Sequence, residues 1–120
     1  NKADFAHGPR WQLHELEGER WYDFEAMRIA GFQPETWLVP LAGHTSGHCG
    51  VAIRTKTGWL FQCGDAVPVG LQFHPAMVLL YRPTIGAHVP QLKAFAETHP
   101  EVHMLAGHMF LDFFQEESAP

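Results

Sequence analysis

Three short segments carry the side chains best suited to chemistry: Gly43-His44-Thr45-Ser46-Gly47-His48, Gly64-Asp65-Ala66 and Ala106-Gly107-His108. Imidazole nitrogens and carboxylate oxygens are ordinary zinc ligands, and an ion held by them polarises carbonyls and activates water. Glycines beside each candidate let the backbone turn sharply and approach an ion closely. Each segment also has a plainer reading. A histidine in a glycine-rich loop is commonly a hydrogen-bonded surface group, and an aspartate after glycine is a common turn residue. The order and spacing of the three argue for a shared site, with Asp65 seventeen residues after His48.

Other side chains argue for less. Of the nine histidines, His7, His14, His74, His88, His99 and His103 lack ligand spacing and read as structural or surface groups. His99 and His103 are four apart, but Pro100 between them breaks any helix that would align them. Ser46 has no G-x-S-x-G elbow around it. Cys49 and Cys63 lack both an activating base and paired zinc spacing, and read as buried, reduced thiols.

The three segments must be positioned by the elements that precede them. Thr36 to Leu41 is an apolar run with strand character, and Pro40 marks its end or an edge. Val51–Thr55 and Trp59–Cys63 read as strands of a hairpin turning at Lys56-Thr57-Gly58. Apolar residues Ile85, Val89, Leu92, Phe95 and Ala96 recur at helical spacing, with Pro90 tolerated in the first turn. Glu101 to Ala106 reads as a strand, and Met109 to Phe114 as the start of a last helix. Upstream, Trp11–Glu17 and Arg20–Phe24 suggest a hairpin turning at Gly18-Glu19, with a short extension ended by Gly31. Val67 to Pro83 is apolar but broken by prolines, a covered loop whose Phe73, Met77 and Tyr81 suit either a pocket wall or the core. Strands first, then a helix, a strand and a helix make an α/β or α+β layered pattern.

Composition sets bounds. A chain of 120 residues, 46% hydrophobic and 18% charged, is globular and holds one domain at most. The net charge of −5 and scattered basic residues leave no stripe for a phosphate backbone, so nucleic acid is not an expected partner. No apolar run reaches the length of a membrane span, and the polar first twenty residues are no secretory signal, so a cytoplasmic location is expected. A chain opening on Asn1 rather than Met is expected to be processed, trimmed or excerpted.

GHTSGH, a hairpin ending in WLFQCGDA, a helix, and a strand ending in AGH together resemble the metallo-β-lactamase superfamily, over about Thr36 to His108. Within it the chain is similar to glyoxalase-II-like thioesterases and lactonase-like enzymes. The resemblance implies that residues 1–120 are the C-terminal half of an αββα sandwich, a single partial domain with a mostly antiparallel mixed sheet and helices on one face. It implies metal ligation by His48, Asp65 and His108, with Asp65 bridging two zinc ions. His44 would order the loop, with Thr45 as a hydroxyl behind it. Met109 stands where the family often has an acidic residue.

The HxHxDH segment that supplies the family's other ligands is absent from the chain. Three ligands imply at most one weakly held ion in isolation. Half a sandwich would also bare an apolar sheet face, to be covered by a missing N-terminal half or by a second copy in a homodimer. Two functions are therefore expected. One is a part of a hydrolase that activates water on two metals and cleaves a small thioester or lactone. The other is a truncated, non-catalytic half-domain that self-associates or binds a partner.

Overall fold

The computed structural model describes residues 2–67 and 87–108. The expected last helix at Met109–Phe114, the aromatic loop with Phe73, Met77 and Tyr81, and His74 lie outside the described residues. A short ribbon pairs β1 (Arg20–Trp21) with β2 (Phe24–Glu25). The main sheet runs β3 (Met27–Arg28), β4 (Thr36–Pro40), β5 (Cys49–Arg54), β6 (Trp59–Gln62), β7 (Val102–Leu105), in that spatial order. Pairing is antiparallel from β3 to β6 and parallel between β6 and β7. The helix α1 (Val89–Thr98) precedes β7 in sequence. The fold is thus a mixed α+β layer with a mostly antiparallel sheet.

Alternation along the strands sorts residues onto two faces. On one face Trp37, Ala52, Phe61 and Met104 lie side by side in register, and Trp59 pairs with Val102 in the next row. Phe61 and Ala52 are fully buried there. Gly50 opens the space that the Phe61 ring fills, since a Cβ at Gly50 would lie 2.7 Å from Phe61 Cε2. α1 covers this face with Val89, Leu92 and Phe95, spaced three apart on one side of the helix. Pro90 sits in its first turn as expected. The Phe95 ring lies 5.1 Å from Phe24 and 5.4 Å from Trp21, so the β1–β2 ribbon and the helix share one aromatic core. The opposite face is a row of Met27, Leu38, Val51, Gln62 and Leu105 beside a row of Thr36, Ile53, Leu60 and His103. All of these are half-buried.

The N-terminal hairpin differs from expectation. Residues 9–18 form no strand, and Trp11 and Leu13 are 71% and 90% exposed. The ribbon instead turns at Tyr22-Asp23, between Trp21 and Phe24. Tyr22 has φ 51°, a left-handed conformation that costs a side-chain-bearing residue about 1–2 kcal/mol. Packing offsets the cost. The Tyr22 ring contacts Trp21, Phe95 and His99, and its hydroxyl donates to Glu101 Oε1 at 2.9 Å.

The hairpin β5–β6 turns where expected. Thr55 Oγ1 accepts from the Gly58 amide at 3.0 Å, and Thr55 N–H donates to the Gly58 carbonyl at 3.0 Å. Among the described residues, no helix is long and apolar enough to cross a membrane.

Candidate metal-binding site

Strand direction gathers the three segments. β4 and β6 both run antiparallel to β5, and β7 runs parallel to β6, so all three end at the same edge of the sheet. Beyond β4 comes the loop with His44 and His48, beyond β6 the 3-10 turn Gly64–Ala66, and beyond β7 the segment ending in His108. Carboxyl ends of strands are where open α/β sheets bind ligands.

Backbone hydrogen bonds close the edge. Leu41 N–H donates to the His48 carbonyl at 2.9 Å, drawing the 42–47 loop into a tight return. Cys63 N–H donates to the Leu105 carbonyl at 2.8 Å, and Gly107 N–H to the Val67 carbonyl at 3.2 Å, joining the second and third segments. The glycines are needed for proximity. A Cβ at Gly107 would lie 2.7 Å from Asp65 Oδ1, and one at Gly64, where φ is 55°, would lie 2.6 Å from His48 Nε2.

At the centre is the Asp65 carboxylate. Oδ1 lies 2.9 Å from Nε2 of His108, and Oδ2 lies 3.4 Å from Nε2 of His44. All three side chains reach solvent, with the Asp65 side chain 30% exposed. His48 sits deeper and differently. Its Nε2 accepts the Asp65 backbone N–H at 2.9 Å, which leaves Nδ1 to donate to the Leu41 carbonyl at 3.1 Å. Both of its ring nitrogens are therefore engaged by backbone.

The structure thus brings Asp65 and His108 together. His44, expected only to order its loop, faces the carboxylate, while His48 faces the backbone. His88, read as a structural or surface group, ties the helix start to the same loop through Nε2 and the Ala42 carbonyl at 2.9 Å. Nothing in its local sequence signals that contact, which arises from the packing of α1. Cys63 is free and buried, and burial pushes its thiol well above the ordinary range; Cys49 is free and half-buried and is raised for the same reason. Neither has the character of a nucleophile.

The donors are of the right kind for zinc: two imidazoles, each within reach of one carboxylate. They are too few and too closely paired for a complete site. Among the described residues, no group of three or more His, Cys, Asp or Glu side chains is arranged to hold a metal ion. The fit is that of a partial donor set.

The chain is similar to two proteins, each named as a probable metallo-hydrolase, from Mycobacterium bovis and Mycobacterium tuberculosis. Each is 36% identical over 66 residues, which is 54% of this chain and 21% of the relative. The match thus spans about a fifth of the length of these curated relatives. No protein-family model and no solved structure matches.

Proposed function

We propose that the chain is part of a metal-dependent hydrolase of the metallo-β-lactamase superfamily, acting on a small thioester or lactone with zinc as its metal. The observation that carries this reading is the Asp65 carboxylate held between the imidazoles of His108 and His44 at the carboxyl ends of three strands. The names of the mycobacterial relatives, each a probable metallo-hydrolase, support the metal-dependent hydrolysis in this reading and no more of it. A bound divalent ion supplies a Lewis acid and lowers the pKa of water. The chain contributes negative charge through Asp65 and geometry through the two imidazoles.

The resemblance alone led to His48, Asp65 and His108 as ligands. The hydrogen bonds favour a different division. To reach an ion with Nε2, His48 would have to release the Asp65 amide, whereas His44 turns Nε2 toward the carboxylate already. His44, Asp65 and His108 are therefore the proposed metal-facing set. The remaining ligands would come from polypeptide beyond this chain, an N-terminal half of an αββα sandwich. The half-buried apolar face of Leu38, Val51, Ile53, Leu60 and Leu105 suits a second sheet packed upon it.

The test is hydrolysis of a thioester and lactone panel by the full-length protein, with and without a chelator. The reading requires activity that the chelator abolishes and zinc restores. Activity indifferent to chelation would overturn it.

The incomplete donor set among the described residues favours one alternative, a non-catalytic half-domain whose apolar sheet face pairs with a second copy. Sedimentation of residues 1–120 separates the readings. A stable dimer that retains no zinc supports the alternative, and a monomer opposes it.

A further inference from the structure

We infer that His48 is a positioning residue, an imidazole whose two ring nitrogens clasp the end of β4 to the turn after β6 and thereby aim the Asp65 carboxylate. Its consequence for metal binding rests on the function proposed above; the clasp itself does not. Three observations meet in this ring. Nδ1 lies 3.1 Å from the Leu41 carbonyl, one residue beyond β4. Nε2 accepts the Asp65 amide at 2.9 Å. Gly64 packs against the same edge of the ring so closely that any Cβ there would displace it.

The amide of Asp65 is one of the donors at the start of a 3-10 turn, where intra-turn partners are lacking. Capturing it fixes the peptide plane before Asp65, and so the direction in which its side chain leaves the backbone. That direction places Oδ1 against His108 and Oδ2 toward His44. A carboxylate with a free choice of direction would have to be ordered again on each binding event. Partners of this kind, behind the groups that touch a metal, typically change metal affinity by about 10–100-fold when removed. The His48 carbonyl also accepts the Leu41 amide, so one residue closes both the loop and the clasp.

The experiment uses full-length protein with 15N-labelled histidine and no added metal, read by ring-nitrogen NMR. The expected spectrum has Nδ1 of His48 protonated and Nε2 as a bare acceptor. Zinc should then shift the ring nitrogens of His44 and His108 and leave those of His48 nearly in place. A protonated Nε2 in the metal-free protein, or a His48 Nε2 signal that moves like a ligand's, overturns the inference.

Zinc affinity by competition with a chromophoric chelator gives the second measurement. His48→Gln keeps an acceptor for the Asp65 amide and should retain affinity within about threefold, while His48→Leu should lose about tenfold or more. Equal losses in both variants, or none in His48→Leu, also overturn the inference. If the wild-type protein binds no zinc, the proposed function fails, and the metal-free ring spectrum still decides the clasp.

Discussion

Nε2 of His108 lies 2.9 Å from Oδ1 of Asp65, across the ends of two parallel strands, β7 and β6. Thirty-nine residues of chain separate Gly64-Asp65 from the β7 terminus, so this contact is a product of the crossover through α1 rather than of local sequence. It places a carboxylate and an imidazole together at the open edge of the sheet.

Asp65→Asn keeps the shape of the side chain and removes its charge. Because Asp65 is partly exposed, the melting temperature should move little. Hydrolytic activity of the full-length protein should fall at least about a hundredfold, as several kcal/mol of charge stabilisation is lost. Unchanged turnover would remove Asp65 from the chemistry.

Gly64→Ala combines a left-handed backbone with a Cβ 2.6 Å from His48 Nε2. The backbone alone costs about 1–2 kcal/mol. Gly107→Ala sets a Cβ 2.7 Å from Asp65 Oδ1 and 2.9 Å from Gly64 backbone, an overpacking worth about 1–3 kcal/mol. Both should lower the denaturation midpoint and weaken zinc binding together. A variant that binds zinc normally would show that the close approach of the three segments is unnecessary.

Phe61→Ala empties the centre of the aromatic core. The ring is fully buried and lies 4.8 Å from Trp21 and 5.9 Å from Phe24. A loss of about 3–5 kcal/mol is expected in urea unfolding, with tryptophan fluorescence as the probe.

The tie between Tyr22 and Glu101 should fail at both ends of the pH range. The Glu101 carboxyl is held below its ordinary value, chiefly by its own backbone amide and then by the Tyr22 hydroxyl. Its contribution is present above the unfolded pKa and lost as pH falls through the folded one. The Tyr22 phenol is raised, first by burial and then by Glu101, so its contribution is full below the unfolded value and lost as pH rises through the folded one. Protection of the Tyr22-Asp23 turn amides, taken relative to their intrinsic exchange rates, should therefore be greatest on a plateau between acid and alkali. Tyr22→Phe should abolish the alkaline limb and only reduce the acid one, since the Glu101 backbone amide still holds that carboxyl down; a profile unchanged by that substitution would show that the hydroxyl does not hold the turn.

Much of this architecture is legible in the residues, for identifiable reasons. Thr36–Pro40, the Cys49–Gln62 hairpin and Val102–Leu105 are apolar runs bounded by glycine, proline or Lys-Thr-Gly, and they form strands within a residue or two of expectation. α1 follows from Val89, Leu92 and Phe95 with a proline in the first turn. The first hairpin was illegible because its turn uses Tyr22 and Asp23. A tyrosine at positive φ carries no turn signal, and it is held there by the Phe95 ring and Glu101, more than seventy residues away. The pairing of Trp11 with that hairpin failed because its alternation has no third apolar partner.

The three segments that meet at the sheet edge were legible, and which imidazole of the first one faces Asp65 was not. His44 and His48 share one loop four residues apart, and spacing cannot say which ring faces outward. What separates them is backbone from other elements: the Leu41 carbonyl and the Asp65 amide take both nitrogens of His48. That choice exists only once β4 and β6 lie on either side of β5.

The most direct test of the account is metal content. Full-length protein would be saturated with zinc, washed and subjected to elemental analysis beside His44→Ala and Asp65→Asn. One or two zinc ions per polypeptide in the wild type, with a clear loss in both variants, is the predicted result. No retained zinc, or equal zinc in all three proteins, would contradict a metal-dependent site built on Asp65.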